Sequence, residues 1–232
     1  MKAAIMQPYL FPYIGYFQLI KAVDVFIVYD NIQYTKKGWI NRNRFLHGGS
    51  DAMFSLPLKN DSGFLDVRER KIATDFNRNK LLNQLRDAYR KAPHFAATFA
   101  LVEDVLACDE TNLFLFLHQA IQKTCDHLGI DTPIVVSSTI DIDHGLQGES
   151  KVLALCEAVG ADAYINSIGG QELYSRETFG ARGIALAFLR STLVEYPQFE
   201  HAFVPWLSII DVMMFNPRSR IDHDLVNGYT LV

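Results

Sequence analysis

Two stretches of the sequence concentrate side chains that bind or move charge. The first, QPYLFPYIGYFQLI (residues 7–20), sets Tyr9, Phe11, Tyr13, Tyr16 and Phe17 among Pro8, Pro12 and Gly15. A core segment has no need of the prolines, a surface loop has no use for the rings, and a helix interior does not tolerate both prolines. A glycine in the first turn of a helix that follows a strand lets backbone N–H groups approach a phosphate or carboxylate at the positive end of the helix dipole. Gly15 stands where that would happen, and it is equally placed as a turn glycine beside an aromatic cluster. The second stretch, DNIQYTKKGWINRNRF (residues 30–45), has no acid after Asp30 and carries Lys36, Lys37, Arg42 and Arg44 around Trp39. Four such cations repel one another unless an anion or solvent neutralises them, and an indole offers a face to a base, a sugar or an arginine. The donors Asn41, Arg42, Asn43 and Arg44 suit a phosphate-bearing ligand, and a solvated hairpin is the plainer alternative.

Weaker signals follow along the chain. In SIGGQELY, Gly169 and Gly170 come after a strand-like run and form either an anion nest or an ordinary turn. Ser208 and Asp211 in WLSIID lie one turn apart on an apolar helix, so they need partners from the backbone or from a ligand. Asp141, Asp143 and His144 make a small polar cluster, but three polar loop residues usually remain solvated, and no metal is assigned. The seven histidines show no HExxH spacing, and neither a Ser-His-Asp order nor a GxSxG elbow is present.

Composition sets the frame for these segments. Of 232 residues, 49% are hydrophobic and 21% charged, which excludes disordered, collagenous and disulfide-dense classes. A net charge of −4 carries no basic signature, so contact with nucleic acid or an anionic membrane would need a local patch. Cys108, Cys125 and Cys156 are an odd number in apolar helical patterns and read as reduced, buried thiols. The apolar run at residues 3–6 is too short for a signal peptide or a membrane span, and the expectation is a cytoplasmic protein.

The elements that must position these residues alternate. Residues 2–6 and 25–29 read as buried strands flanking a helix from Ile14 to Val23. MFSLPL (53–58) and VRERKI (67–72) read as further strands that continue the sheet. Helices are expected near 76–91, 94–107 and 113–128, the last with an apolar stripe and Gly129 as its stop. A strand at PIVVSST, a helix at GESKVLALCEAVG, strands at ADAYIN and GIALAFL, and a closing apolar helix complete the chain. This predicts a single α/β domain over 1–232, with a mostly parallel Rossmann-like sheet and a helical insertion at about 75–129. In such a sheet the loops at residues 7–15, 30–44, 166–174 and 190–198 converge at the carboxyl ends of the strands, where ligands bind.

IMQPYLFPYIGYFQLI, DNIQYTKKGWINRNRF, AYINSIGGQELY and the closing YPQF and FVPWLSIID, in that order, resemble the WbqC-like proteins over nearly the whole chain. The family often carries SGxGGxxY where Asn166, Ser167 and Ile168 precede the glycine pair here. The resemblance implies a transferase of bacterial surface-polysaccharide (O-antigen) biosynthesis, moving an acyl or glycyl group to the amino sugar of a nucleotide-sugar. In addition, Tyr13-Ile14-Gly15-Tyr16 is similar to the HxGH motif of nucleotidylyltransferases and pantothenate synthetase, with tyrosines at the histidine positions. That likeness implies a nucleotidyltransferase-like sheet and ATP as a candidate cofactor. A phenol donates a hydrogen bond but supplies no cation near neutral pH.

On this reading Asp30 is the general base at the end of a strand, with Gln7 and Tyr16 beside the reacting atoms. Lys36, Lys37, Arg42 and Arg44 hold phosphate, while Trp39 and Tyr34 stack on a base or sugar. Tyr9, Tyr13, Gly15, Gln33, Asn41, Asn43, Gly169, Gly170, Tyr174, Tyr196, Gln198, Ser208 and Asp211 complete the expected lining. The expected partners are small molecules: a nucleotide-sugar with an amino acid or other acyl donor. Nucleic acid enters only if the donor is a charged tRNA. The alternatives are a non-catalytic nucleotide-sugar binder and a nucleotidylyltransferase that works with tyrosines. No oligomeric state follows from the sequence.

Overall fold

A computed structural model describes all of residues 1–232. The chain opens with β1 (Lys2–Met6), α1 (Ile14–Lys21) and β2 (Val25–Val28), a unit in which both strands run parallel in register. Side chains alternate across these strands with period two. Ala4, Phe26 and Val28 enter the larger core with α1, while Ala3, Ile5, Val25 and Ile27 enter a smaller one on the opposite face. Burial on both faces is why these strands read as continuous apolar runs rather than as alternating ones.

β4 (Ser50–Ser55), at the strand expected over 53–58, departs from expectation by pairing with β3 (Arg42–His47) of the basic segment. They form a separate two-stranded antiparallel sheet and do not extend the main one. The cause is local: Gly48 and Gly49, at φ +58° and +82°, make a two-residue turn that pairs the flanking strands with each other. The strand expected over 67–72 is also absent. Val67–Glu69 is a single 3-10 turn, with Asp66 N–H donating to Glu69 Oε2 at 2.8 Å. Four consecutive charged residues cannot supply the apolar face of a strand, and Arg70 instead buries its guanidinium 4.9 Å from the centre of the Tyr34 ring.

α2 (Arg78–Tyr89), α3 (Phe95–Leu106) and α4 (Leu113–Leu128) follow, close to their expected limits. Asn77 and Asn112 cap the first and third through their side chains, and Gly129 ends α4 in the left-handed conformation at φ +72°. Leu85, Val102 and Leu117 carry all three helices into the larger core. The chain then alternates through β5 (Ile134–Val136), α5 (Gly148–Ala158), β6 (Ala163–Ser167), α6 (Arg176–Ala181) and β7 (Ala185–Ser191). It ends with α7 (Ile209–Phe215) and an antiparallel edge strand, β8 (Tyr229–Leu231), that no sequence signal announced.

The main sheet has six strands in the order β5-β2-β1-β6-β7-β8, parallel except for β8. It is a mixed α/β, Rossmann-like architecture with helices flanking the sheet. No helix is long and apolar enough to cross a membrane. From β1 the chain moves to β2 and β5 on one side, then returns to β6 and β7 on the other. The loops leaving β1 and β6 therefore part in opposite directions and open a crevice at their carboxyl ends.

Candidate functional site

A cavity of about 400 Å³ lies at that crevice. The loop after β1 contributes Tyr9, Pro12 and Tyr13, and the β3 strand with its approach contributes Trp39, Asn43 and Arg44. Ile168 comes from the end of β6, Arg190 and Ser191 from the end of β7, and Trp206 from the segment before α7. The lining thus holds two guanidiniums and four aromatic rings, with no carboxylate and no imidazole.

The aromatic loop divides its rings between core and cavity. Leu10, Phe11, Tyr16 and Phe17 are buried, while Tyr9 and Tyr13 stay half-exposed at the wall. Phe11 sits at φ +41°, a strained value for a residue with a side chain. The strain is held in place from three directions. Asn43 Nδ2 donates to Leu10 O at 3.0 Å and Phe11 O at 2.8 Å, Ser208 Oγ donates to Phe11 O at 2.7 Å, and Ile209 N–H donates to Pro12 O at 2.9 Å. Asn43 and Ser208, both expected to touch ligand, build the loop that shapes the cavity. Gly15 has a local use as well, because a Cβ there would overlap the ring of Tyr13, which folds back over the start of α1.

Tyr13 and Tyr16, the pair aligned with the HxGH histidines, part company. Tyr13 reaches the cavity, where its ring meets the edge of Trp206 at a centroid distance of 6.0 Å. Tyr16 is 3% exposed, donates its hydroxyl to Gln7 O at 3.0 Å and packs on Tyr9, Phe17 and Phe26. Burial raises the pKa of Tyr13, and burial and then the neighbouring Tyr13 push Tyr9 up to about 12. Near neutral pH both remain hydroxyl donors.

Both arginines of the basic segment have partners within the protein. Arg42 donates to Gly38 O at 2.9 Å and Lys37 O at 2.6 Å, closing the loop that carries Trp39. Arg44 pairs with Asp51, one strand across, at 3.3 Å and donates to Trp206 O at 3.0 Å. Both guanidiniums lie 5.8 Å from the Trp39 ring centre. The repulsion expected among these cations is thus relieved at the two arginines by backbone carbonyls and by the carboxylate of Asp51. Lys36 and Lys37 are exposed and do not line the cavity. Tyr34 donates to Asn41 Oδ1 at 2.9 Å within the segment, while Asn41 donates to Leu56 O at 2.8 Å and Gln33 to Gly63 O at 2.9 Å, tying it to the chain that follows.

Other expected residues lie outside the cavity. Asp30 is 2% exposed, and its carboxylate accepts from Ser138 N at 3.0 Å, Ser138 Oγ at 2.7 Å and Ser137 Oγ at 2.7 Å. These bonds fasten the end of β2 to the turn after β5. Gln7 shares its carbonyl with Tyr16 and does not line the cavity. Gly169 and Gly170 form a 3-10 turn over Ile168–Leu173, in which a Cβ at Gly170 would overlap the Asn166 amide. Tyr174 packs on Tyr164 and Phe179. His144 Nδ1 lies 2.9 Å from Asn31 Nδ2, and Asp143 accepts from Gly145 N–H at 2.9 Å. Cys125 and Cys156 are buried free thiols, and Cys108 is half-buried.

Asp211 forms a separate centre. It is wholly buried and accepts from Tyr89 at 2.9 Å, Tyr196 at 2.8 Å and Gln198 at 2.6 Å. Tyr89 in turn accepts from Leu46 N–H at 2.8 Å, so one carboxylate ties α2, α7, β3 and the segment after β7 together. Burial raises its pKa from the ordinary 3.8 to about 6, against the opposing pull of its three donors.

Of the expected lining, Tyr9, Tyr13, Trp39, Asn43 and Arg44 meet at the cavity. Pro12, Ile168, Arg190, Ser191 and Trp206 join them without having been singled out. The signal for Arg190 was positional: a cation at the carboxyl end of the last parallel strand.

A profile of the WbqC-like protein family matches residues 7–223, a span that contains the whole cavity lining. The chain belongs to the WbqC-like family. It is 31% identical over 220 residues to an uncharacterized protein of Mycobacterium tuberculosis, Rv1507c, with 93% of each chain covered. No solved structure matches the chain. WbqC-like membership suggests a role in polysaccharide biosynthesis.

Proposed function

We propose that this WbqC-like protein binds a nucleotide-sugar in the switch-point cavity and transfers an acyl or glycyl group to its amino sugar in surface-polysaccharide biosynthesis. The observation that carries this reading is the lining: Arg44 and Arg190 beside Trp39, Trp206, Tyr9 and Tyr13, with no carboxylate. Guanidinium forks match phosphoryl oxygens, and indole and phenol faces match a base or a sugar ring. The family's place in polysaccharide biosynthesis supplies the sugar.

The chemistry follows from what the cavity lacks. Without a carboxylate or imidazole among its walls, its contribution is positioning and charge stabilisation. The acyl donor therefore arrives activated, as an acyl-adenylate made with ATP or as a thioester. The amine nitrogen attacks the carbonyl carbon, a C–N bond forms, the C–O or C–S bond to the leaving group breaks, and the amine proton passes to solvent. In this reading the Tyr13 hydroxyl, at the cavity wall, is the neutral donor that steadies the oxygen as charge develops on it. Asp30 is reassigned from general base to scaffold, since its carboxylate already accepts three internal hydrogen bonds.

The test is to incubate the protein with a nucleotide-linked amino sugar and an activated glycyl donor, and to follow the sugar by mass spectrometry. A product heavier by one glycyl residue, lost in Trp206→Gly, is the expected result. Saturable binding of the nucleotide-sugar with no product from adenylate, thioester or charged tRNA would favour the binding-protein alternative and sink the transfer step.

A further inference from the structure

The two guanidiniums of the cavity are in unlike states. Arg44 is committed, paired with Asp51 at 3.3 Å, bonded to Trp206 O at 3.0 Å and lying 5.8 Å from the Trp39 ring centre. Its backbone carbonyl also accepts from Ser208 N–H at 2.9 Å, so Arg44 grips the Trp206–Ser208 segment at two points. Trp206 needs that grip, because its φ of +58° is a left-handed value that a residue with a side chain adopts only under strain. Removing Arg44 would disturb the shape of the cavity as well as its charge.

Arg190 is free. Its backbone is fixed by pairing opposite Thr230 of β8, yet its side chain makes no hydrogen bond and has no carboxylate oxygen within 4.0 Å. An exposed arginine alone is a solvated charge. This one converges on the same cavity as two indoles, Trp39 and Trp206, each 42% exposed, one of them held in strained backbone. Strain of this kind persists where the surroundings over-determine it, and it gathers at ligand sites.

We propose that Arg190 is the specificity-determining residue of the cavity: it binds the phosphate or diphosphate of the ligand, while Trp39 and Trp206 hold the attached ring. The proposal deepens the functional reading above and rests on its assignment of the cavity as the substrate site. Charge selection thus falls to β7, and the basic segment at 36–44 acts mainly as the frame that presents Trp39.

The experiment is isothermal calorimetry on the full chain with UDP-N-acetylglucosamine, inorganic pyrophosphate, N-acetylglucosamine and glycine, for wild type, Arg190→Ala and Arg190→Lys. Thermal melts check that the variants fold. Arg190→Ala is expected to weaken the two phosphate-bearing probes at least tenfold, to flatten the dependence of Kd on ionic strength, and to leave any N-acetylglucosamine or glycine affinity within twofold. Arg190→Lys should fall between, since it keeps the charge and loses the fork. Unchanged UDP-N-acetylglucosamine affinity in Arg190→Ala overturns the role of Arg190 and leaves the nucleotide-sugar reading intact. Arg190-dependent binding of pyrophosphate without binding of the nucleotide-sugar supports the role and removes that substrate. Failure of both phosphate-bearing probes to bind wild type overturns both, and a glycine affinity lost in Arg190→Ala while phosphate binding persists reassigns the residue to a carboxylate.

Discussion

The cavity at the carboxyl ends of β1, β6 and β7 and the buried centre around Asp211 both pair tyrosines with charged side chains, and Trp206 and Ser208 connect them along the chain. They differ in where their hydrogen bonds go. Asp211 has every nearby donor turned inward, from Tyr89, Tyr196 and Gln198, and is closed to water. The cavity holds a guanidinium with no internal partner and two half-exposed indoles. Buried polar groups must be satisfied from within, so their partners reveal a structural role. Groups that can face a ligand afford to remain unpaired. Polar residues on an apolar helix therefore point to a site only when the fold leaves them unsatisfied, and here it does not.

The sharpest way to break this comparison is Asp211→Ala. Three donors would lose their acceptor in a dry interior, and the expected loss of unfolding free energy is about 3–5 kcal/mol. Denaturant titration measures it. A loss below about 1 kcal/mol would mean that the centre is not holding the elements together.

Acidity examines the same group from another side. Because its folded pKa is raised, from 3.8 to about 6, the proton it takes up adds stability that is fully present below the unfolded pKa and lost as pH rises through about 6. Wild type should therefore gain on Asp211→Asn by up to about 3 kcal/mol between pH 7 and pH 4. Unfolding midpoints of the two proteins across that range decide it, and a gap that moved the other way would show that the donors outweigh burial.

Trp206→Gly sharpens the contrast at the cavity. Glycine accepts φ +58° without strain, so folding stability should change by less than about 1.5 kcal/mol. Ligand affinity should fall roughly tenfold or more, the scale of losing a ring that stacks. Equal damage to both quantities would make Trp206 a structural residue. The smallest effect is expected from Lys36→Ala and Lys37→Ala, which should alter stability by less than about 0.5 kcal/mol and affinity by less than twofold. A larger loss of affinity would return phosphate binding to the basic loop.

The fold was legible wherever periodicity was strong. The β1-α1-β2 start, the stripe of α4 and the return to alternation after Pro133 all follow from side-chain spacing. The strand expected at 53–58 pairs within the hairpin and not with the main sheet, because a strand-forming pattern does not say which strand will be the partner. Residues 67–72 were misjudged because alternating charge imitates an exposed strand. The candidate site was half legible. The loops after β1 and β2 announced themselves by odd composition, whereas Arg190 sits in an ordinary strand sequence and gains significance only from what surrounds it.

By itself the sequence determined the family, the α/β alternation and the edge of the sheet where the cavity lies, because these depend on local composition and spacing. Tertiary structure alone decided which charges are spent. Arg42 turns to its own loop, Arg44 to Asp51, and Asp30 to Ser137 and Ser138, while Arg190 is left free. A charge has the same formal value wherever it stands in the chain, but its availability depends on partners brought near by folding, from within the same loop for Arg42 to a turn more than a hundred residues away for Asp30.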